Sequence, residues 1–188
     1  MALTTLDKNT ALIVIDLQKG IVAMVGDKIG GVVSNAARLA EAFRRAKQPV
    51  VLVNVAFSAD GGDRPRGRTD GPVRTIPSNP EFSEILPELA PEANDVRVTK
   101  KQPNAFYGTD LDLQLRRRGV TQIVLCGVST SIGVDGTARA AYERSYNVTI
   151  ASDACADFDP AMHDAVMAKM FPRVAEIDTT DAILRHLK

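Results

Sequence analysis

Short apolar runs alternate with amphipathic stretches along the whole chain. The runs at 11–15, 50–55, 96–98, 123–126, 148–151 and 174–177 are brief and mostly β-branched. That composition belongs to strands buried on both faces of a parallel sheet. Between them, 33–46 sets Val33, Ala36, Ala37, Ala40 and Phe43 on one stripe of a helix. Segments 111–118, 134–146, 161–170 and 181–187 read the same way. Strand and helix taking turns six times predicts right-handed crossovers and a three-layer α/β/α domain.

One region breaks the alternation. Residues 58–80 contain four glycines, four prolines and four arginines (Arg64, Arg66, Arg68 and Arg74), with few apolar positions. A connection of that length in a compact domain is a surface excursion or a lid over a site. As a lid it would offer guanidinium groups, which grip carboxylates in a bidentate fork.

Length and composition narrow the function. The 188 residues make one domain, 1–188, with room for a sizeable core. At 45% hydrophobic and 24% charged, the balance is that of a globular protein. Lys+Arg and Asp+Glu both number 23, so there is no basic surplus for nucleic acid or an anionic membrane. Two cysteines, Cys126 and Cys155, make neither a disulfide framework nor a Cys-x-x-Cys pair. With no signal-peptide pattern and no apolar run of roughly 18 residues, a cytoplasmic chain is expected.

In open parallel sheets ligands sit beyond the carboxyl ends of the strands, which directs attention to the polar residues there. The first run ends in Asp16, followed by Leu17 and Gln18; an acid at such an edge suits proton transfer or caps the next turn. The third run leads into Lys100 and Lys101, cations for an acid or a substrate charge, or simple surface lysines. The fourth enters Gly127-Val-Ser-Thr-Ser-Ile-Gly133-Val-Asp-Gly136. Its glycines permit tight turning, and the helix start behind it presents free N–H groups. It is neither a dinucleotide fingerprint nor a phosphate loop, and Gly-Val-Ser-Thr-Ser is not a nucleophile elbow. Ser129 and Ser131 therefore read as backbone or ligand hydrogen-bonding groups, and His163 has no serine triad to join. Buried packing is the expected role of Cys126 and Cys155.

Three blocks together carry a resemblance: Ala11-Leu-Ile-Val-Ile-Asp16-Leu-Gln18, Lys100 six residues before Phe106, and Gly127-Val-Ser-Thr-Ser-Ile-Gly133-Val-Asp-Gly-Thr-Ala-Arg139. In this order and over essentially the whole chain they resemble the isochorismatase-like hydrolases. The resemblance implies a doubly wound sheet of six parallel strands, with Asp16 and Lys100 as catalytic residues. It also implies a non-proline cis peptide at Val128–Ser129 and self-association as a homodimer or homotetramer. Most members carry a nucleophilic cysteine where this chain has Gly133. Members that cleave isochorismate also have glycine there, and they hydrolyse a vinyl ether with a proton donor and water.

No cofactor is implied. The Asp-x-His element of nicotinamide-hydrolysing relatives is missing, and His163 and His186 both fall late in the chain, so no metal is expected. The resulting expectation is a hydrolase acting on a small anionic substrate. Asp16 and Lys100 do the chemistry, and Gln18, Phe106, Val128, Ser129, Arg64, Arg66 and Arg68 touch the substrate. The alternatives are an inactive binding subunit or an amidase using another thiol. Departures from the isochorismate-cleaving pattern at Ser129 and at Lys101-Gln-Pro103 leave the substrate open.

Overall fold

The computed structural model describes residues 2–26, 29–71 and 76–187. Six strands form one parallel sheet: β1 (Thr10–Ile15), β2 (Val50–Val55), β3 (Val96–Lys100), β4 (Gln122–Val128), β5 (Asn147–Ala156) and β6 (Glu176–Asp178). Their spatial order is β3-β2-β1-β4-β5-β6. The chain winds outward from β1 to β3, then restarts at β4 on the other side of β1. This is the doubly wound, three-layer arrangement expected from the sequence. Every residue of β1 and β4 is buried, which requires helical cover on both faces of the sheet.

The helices are α1 (Lys19–Val25), α2 (Gly30–Arg45), α3 (Leu111–Arg117), α4 (Asp135–Glu143), α5 (Pro160–Lys169) and α6 (Thr180–His186). The stripe read from 33–46 holds at Val33, Ala36, Ala40 and Phe43, which are buried in α2, while Leu39 and Ala42 join it and Ala37 is only half-buried. The packing partners of α2 are β1, β5 and α6.

Three elements differ from the sequence pattern. Helix α1 was not foreseen. It buries only Ile21 and has no side-chain N-cap, and long-range bonds anchor it instead: Lys19 N donates to Glu84 O and Leu86 N to Leu17 O. Strand β5 runs past the apolar 148–151 because Ala154 and Cys155 are buried again, Cys155 and Ala156 pair with β4, and polar ties hold the residues between. The Ser152 hydroxyl donates to Asp178 O, and Asp153 Oδ1 accepts from both N and Oγ1 of Thr180. The last strand is displaced from 174–177 to Glu176–Asp178, since Val174 and Ala175 close the turn that begins at Phe171.

The switch of winding between β1 and β4 opens a crevice at the carboxyl ends of the strands. Asp16, Lys100 and the turn after β4 all lie there.

Candidate active site

Asp16 directly follows β1 in the left-handed region, φ 51°, a conformation that Asp tolerates better than most residues. Its N–H is held by Val53 O at 2.9 Å. Lys100 ends β3, two strand spacings from β1, a gap of roughly 10 Å that only a long side chain spans. The ammonium crosses the end of β2 to lie 2.7 Å from Asp16 Oδ2, with 4% and 8% of the two side chains exposed. Asp16 Oδ1 is buried and has no hydrogen-bond partner among the described residues. Burial pushes the Asp16 carboxyl above its ordinary range, against the pull of the Lys100 ammonium. One carboxylate oxygen is thus committed to the lysine, and the other is shielded from solvent without a hydrogen bond among the described residues.

The turn after β4 forms the opposite wall. Gly127 adopts φ 122°, and a Cβ there would stand 2.0 Å from Ile15 O, so only glycine lets β4 press this closely on β1. The Val128–Ser129 peptide is cis, and one π turn, Thr130–Val134, leads into α4. Side chains from three directions pin this turn. The Thr130 hydroxyl and His163 Nδ1 are 2.8 Å apart, Ser131 N donates to Asp157 Oδ2 at 2.7 Å, and the Thr137 hydroxyl donates to Gly133 O at 2.7 Å. His163 therefore partners a threonine, at the end of the segment that also carries Asp157 and Phe158. A Cβ built on Gly133 would lie 3.5 Å from Asp16 Oδ2, 3.0 Å from Ile15 Cγ2 and 3.2 Å from Val128 O. A side chain at 133 would crowd Ile15 and Val128, so glycine lets this turn lie close against the acid.

Asp16, Lys100, Val128, Ser129, Gly133 and Arg64 share the lining of one cavity of about 360 Å³. Two expected substrate contacts are placed elsewhere. Gln18 is fully buried; its amide donates to Val55 O and Phe82 O, and its Oε1 accepts from Val55 N. It ties β2 to the turn Glu81–Ser83 and has nothing left for a ligand. Phe106 is buried away from the cavity, 5.9 Å from the Tyr146 ring and beneath the Arg144 guanidinium. Arg66 and Arg68 are exposed and outside the lining, and Arg74 lies outside the described residues.

The sequence reading missed the apolar part of the cavity: Ile21, Met24, Phe57, Ile76, Ile132 and Phe158. The strand-end rule that picked out Asp16 applies equally to Phe57 and Phe158, which lie just beyond β2 and β5. At the rim, Lys101 is 2.8 Å from Asp63 Oδ2. That hydrogen bond, with another from Ser58 N, holds the Asp63 carboxyl at about 2. Neither cysteine reaches the cavity. Burial pushes the Cys126 thiol well above its ordinary value and that of Cys155 up to about 12. Among the described residues no three metal-ligating side chains gather, and no helix is long and apolar enough to cross a membrane.

The geometry agrees with what comparison with known proteins finds. Residues 10–182 match the isochorismatase domain model. The chain belongs to the isochorismatase family of hydrolases. It is similar to the uncharacterized isochorismatase family protein YwoC of Bacillus subtilis, 43% identical, covering 96% of this chain and 95% of that one. Its fold is similar to the structure of an isochorismatase family protein from Burkholderia thailandensis, with a TM-score of 0.93, 43% identity and 97% of each chain covered. More distantly it resembles N-carbamoylsarcosine amidase from Thermoplasma acidophilum, with a TM-score of 0.75 and 28% identity over 92% of this chain and 97% of that one.

Proposed function

We propose that the chain hydrolyses an acid-labile bond in a small carboxylate, with Asp16 as proton donor, water as nucleophile and no covalent intermediate. Vinyl-ether cleavage, the type of reaction that isochorismatases carry out, is the leading form, with the substrate itself left open. The observation that carries this reading is the asymmetry of the Asp16 carboxyl: Oδ2 is bound to Lys100 on the side of Gly133, while Oδ1 is buried and has no hydrogen-bond partner among the described residues. Burial favours the protonated acid, and a buried acid whose pKa lies nearer neutrality is suited to general-acid work.

The steps balance with one water consumed. Asp16 gives its proton to the terminal alkene carbon, and the π electrons form the new C–H bond. The oxocarbenium ion left behind faces the Asp16 carboxylate, which stabilises it. Water adds to the cationic carbon and returns a proton to Asp16. The hemiketal C–O bond then breaks, releasing an alcohol and a ketone. Lys100 orients the carboxyl throughout and stabilises its ionised form after proton transfer. A thioester route finds no support: residue 133 is glycine, and both thiols are buried and held protonated.

The test follows turnover of isochorismate and simpler vinyl-ether acids in D₂O by mass spectrometry. One deuterium is expected in the new methyl group of each ketone product. Asp16→Ala should abolish turnover with the fold intact, and iodoacetamide should leave the wild-type rate unchanged. Full activity in Asp16→Ala, or no turnover of any vinyl-ether acid by the wild-type chain, refutes the proposal.

A further inference from the structure

We infer that the cavity takes a carboxylic acid with a single negative charge on a compact apolar body, and that Arg64 reads the carboxylate. This names the substrate class of the proposed reaction and rests on that reading only for which bond reacts. The charges around the cavity lead to it. Four charged side chains line the space: Asp16, Lys100, Lys101 and Arg64. Asp16 and Lys100 offset each other at 2.7 Å, and Lys101 is matched by Asp63 at 2.8 Å. Arg64 has no ion-pair partner among the described residues.

The Arg64 guanidinium is nevertheless held in place. One of its nitrogens, Nη2, donates to the Ser78 hydroxyl at 2.5 Å, and its central carbon lies 5.0 Å from the centroid of the Phe57 ring. Of five N–H donors, one is spent on a neutral hydroxyl. The rest suit a planar carboxylate. Counted with Asp16 ionised beside Lys100, the cavity carries one net positive charge among its described walls, enough for one anionic group; the proton that Asp16 donates in the proposed reaction is taken up with the substrate.

A second carboxylate has no matching site. Beside Asp16 it would face the unpartnered Oδ1, another acceptor. Elsewhere it would lie against Ile76, Ile132 or Phe158, which offer no side-chain donor, and burying a charge on such a surface is costly. Among the described residues, side-chain hydroxyl and amide groups in the lining are limited to Ser129 and Gln102, too few for a polyol. Single charge and apolar bulk together distinguish this substrate from a dianion such as isochorismate.

Isothermal titration of the full chain at neutral pH and low salt tests the inference with four unreactive probes: benzoate, cyclohexanecarboxylate, the dianion isophthalate and neutral benzamide. Both monocarboxylates should bind at least about tenfold more tightly than isophthalate or benzamide, the difference expected when a charged hydrogen-bond partner is lost. Arg64→Gln should bring benzoate down to the affinity of benzamide, and Arg66→Gln should change nothing. The inference is overturned if isophthalate binds as tightly as benzoate, if benzamide equals benzoate, if neither monocarboxylate binds, or if Arg64→Gln keeps wild-type affinity. The ranking of probes on the wild-type chain decides the matter even where a variant folds poorly. Since no probe contains a cleavable bond, failure of the vinyl-ether experiment with benzoate still bound strikes only the proton-transfer reading.

Discussion

Replacing Lys100 by methionine keeps most of its bulk and removes its charge, and the consequence for stability follows from the geometry of the pair. The ammonium lies 2.7 Å from Asp16 Oδ2, and both side chains are less than a tenth exposed. At an effective dielectric constant of about 20, unit charges at that distance attract by about 6 kcal/mol. That attraction offsets the cost of taking both out of water. Removing one partner of such a pair costs about 3–5 kcal/mol, because the other charge stays buried without it. In Lys100→Met the survivor is a carboxyl that burial already pushes upward, now without the ammonium that pulled it down.

The folded pKa of Asp16 in this variant therefore lies further above the unfolded value of about 3.9. Ionisation is harder in the folded chain than in the unfolded one, so stability is full below the unfolded value and is lost as pH rises through the folded one. The slope from this single group cannot exceed about 1.4 kcal/mol per pH unit. Urea denaturation between pH 4 and pH 8 should show the deficit of Lys100→Met relative to wild type smallest at the acid end and about 3 kcal/mol at the alkaline end. Asp16→Asn/Lys100→Met, which buries no charge, should lose this pH dependence and come within about 2 kcal/mol of wild type, or exceed it. A Lys100→Met curve parallel to wild type, or one with its largest deficit at pH 4, refutes the electrostatic account.

Two further outcomes test the frame around the pair. Gly127→Ala drives a methyl to 2.0 Å from Ile15 O at a positive φ; overpacking alone costs about 1–3 kcal/mol, so the melting temperature should fall clearly, and a variant melting with wild type contradicts the close approach of β4 to β1. Gln18→Leu strands Val55 N, Val55 O and Phe82 O. At about 1–3 kcal/mol for each unsatisfied buried group, urea denaturation should show a loss of at least about 2 kcal/mol, whereas a ligand-contacting Gln18 would leave stability unchanged.

The parts of this molecule legible in the sequence are those that local chemistry dictates. The β-branched runs announce the inner strands because residues buried on both faces must be apolar throughout, and α2 announces itself by its stripe. Asp16 and Lys100 were legible because the strand pattern puts them at strand ends and three blocks of sequence agree on them. Gln18 and Phe106 sit inside those same blocks and were assigned to substrate for that reason. A motif, however, records that a position matters and not whether its side chain faces the cavity or the core. Only tertiary contacts make that distinction: the amide of Gln18 is used up by β2 and the turn Glu81–Ser83, and Phe106 is enclosed by Tyr146 and Arg144. Helix α1 and the extension of β5 were hidden for a related reason, since partners many residues away hold both in place.

The same separation between motif and surroundings bears on how the site obtains its selectivity. Asp16 comes from β1, Lys100 from β3 and Gly133 from the turn after β4, all on frames fixed by the sheet register. In the proposed reaction these groups do the chemistry, and the sheet leaves their spacing little freedom to vary. Arg64, Phe57 and Ile76 come from the connection between β2 and β3, where the sheet imposes no register and sequence change is better tolerated than in the strands. Phe158 comes from the corresponding exit of β5. On the proposed reading, charge and shape of the substrate are read by loops while the proton chemistry is held by strands, so a substitution at Arg64 should alter what is bound without moving Asp16 or Lys100.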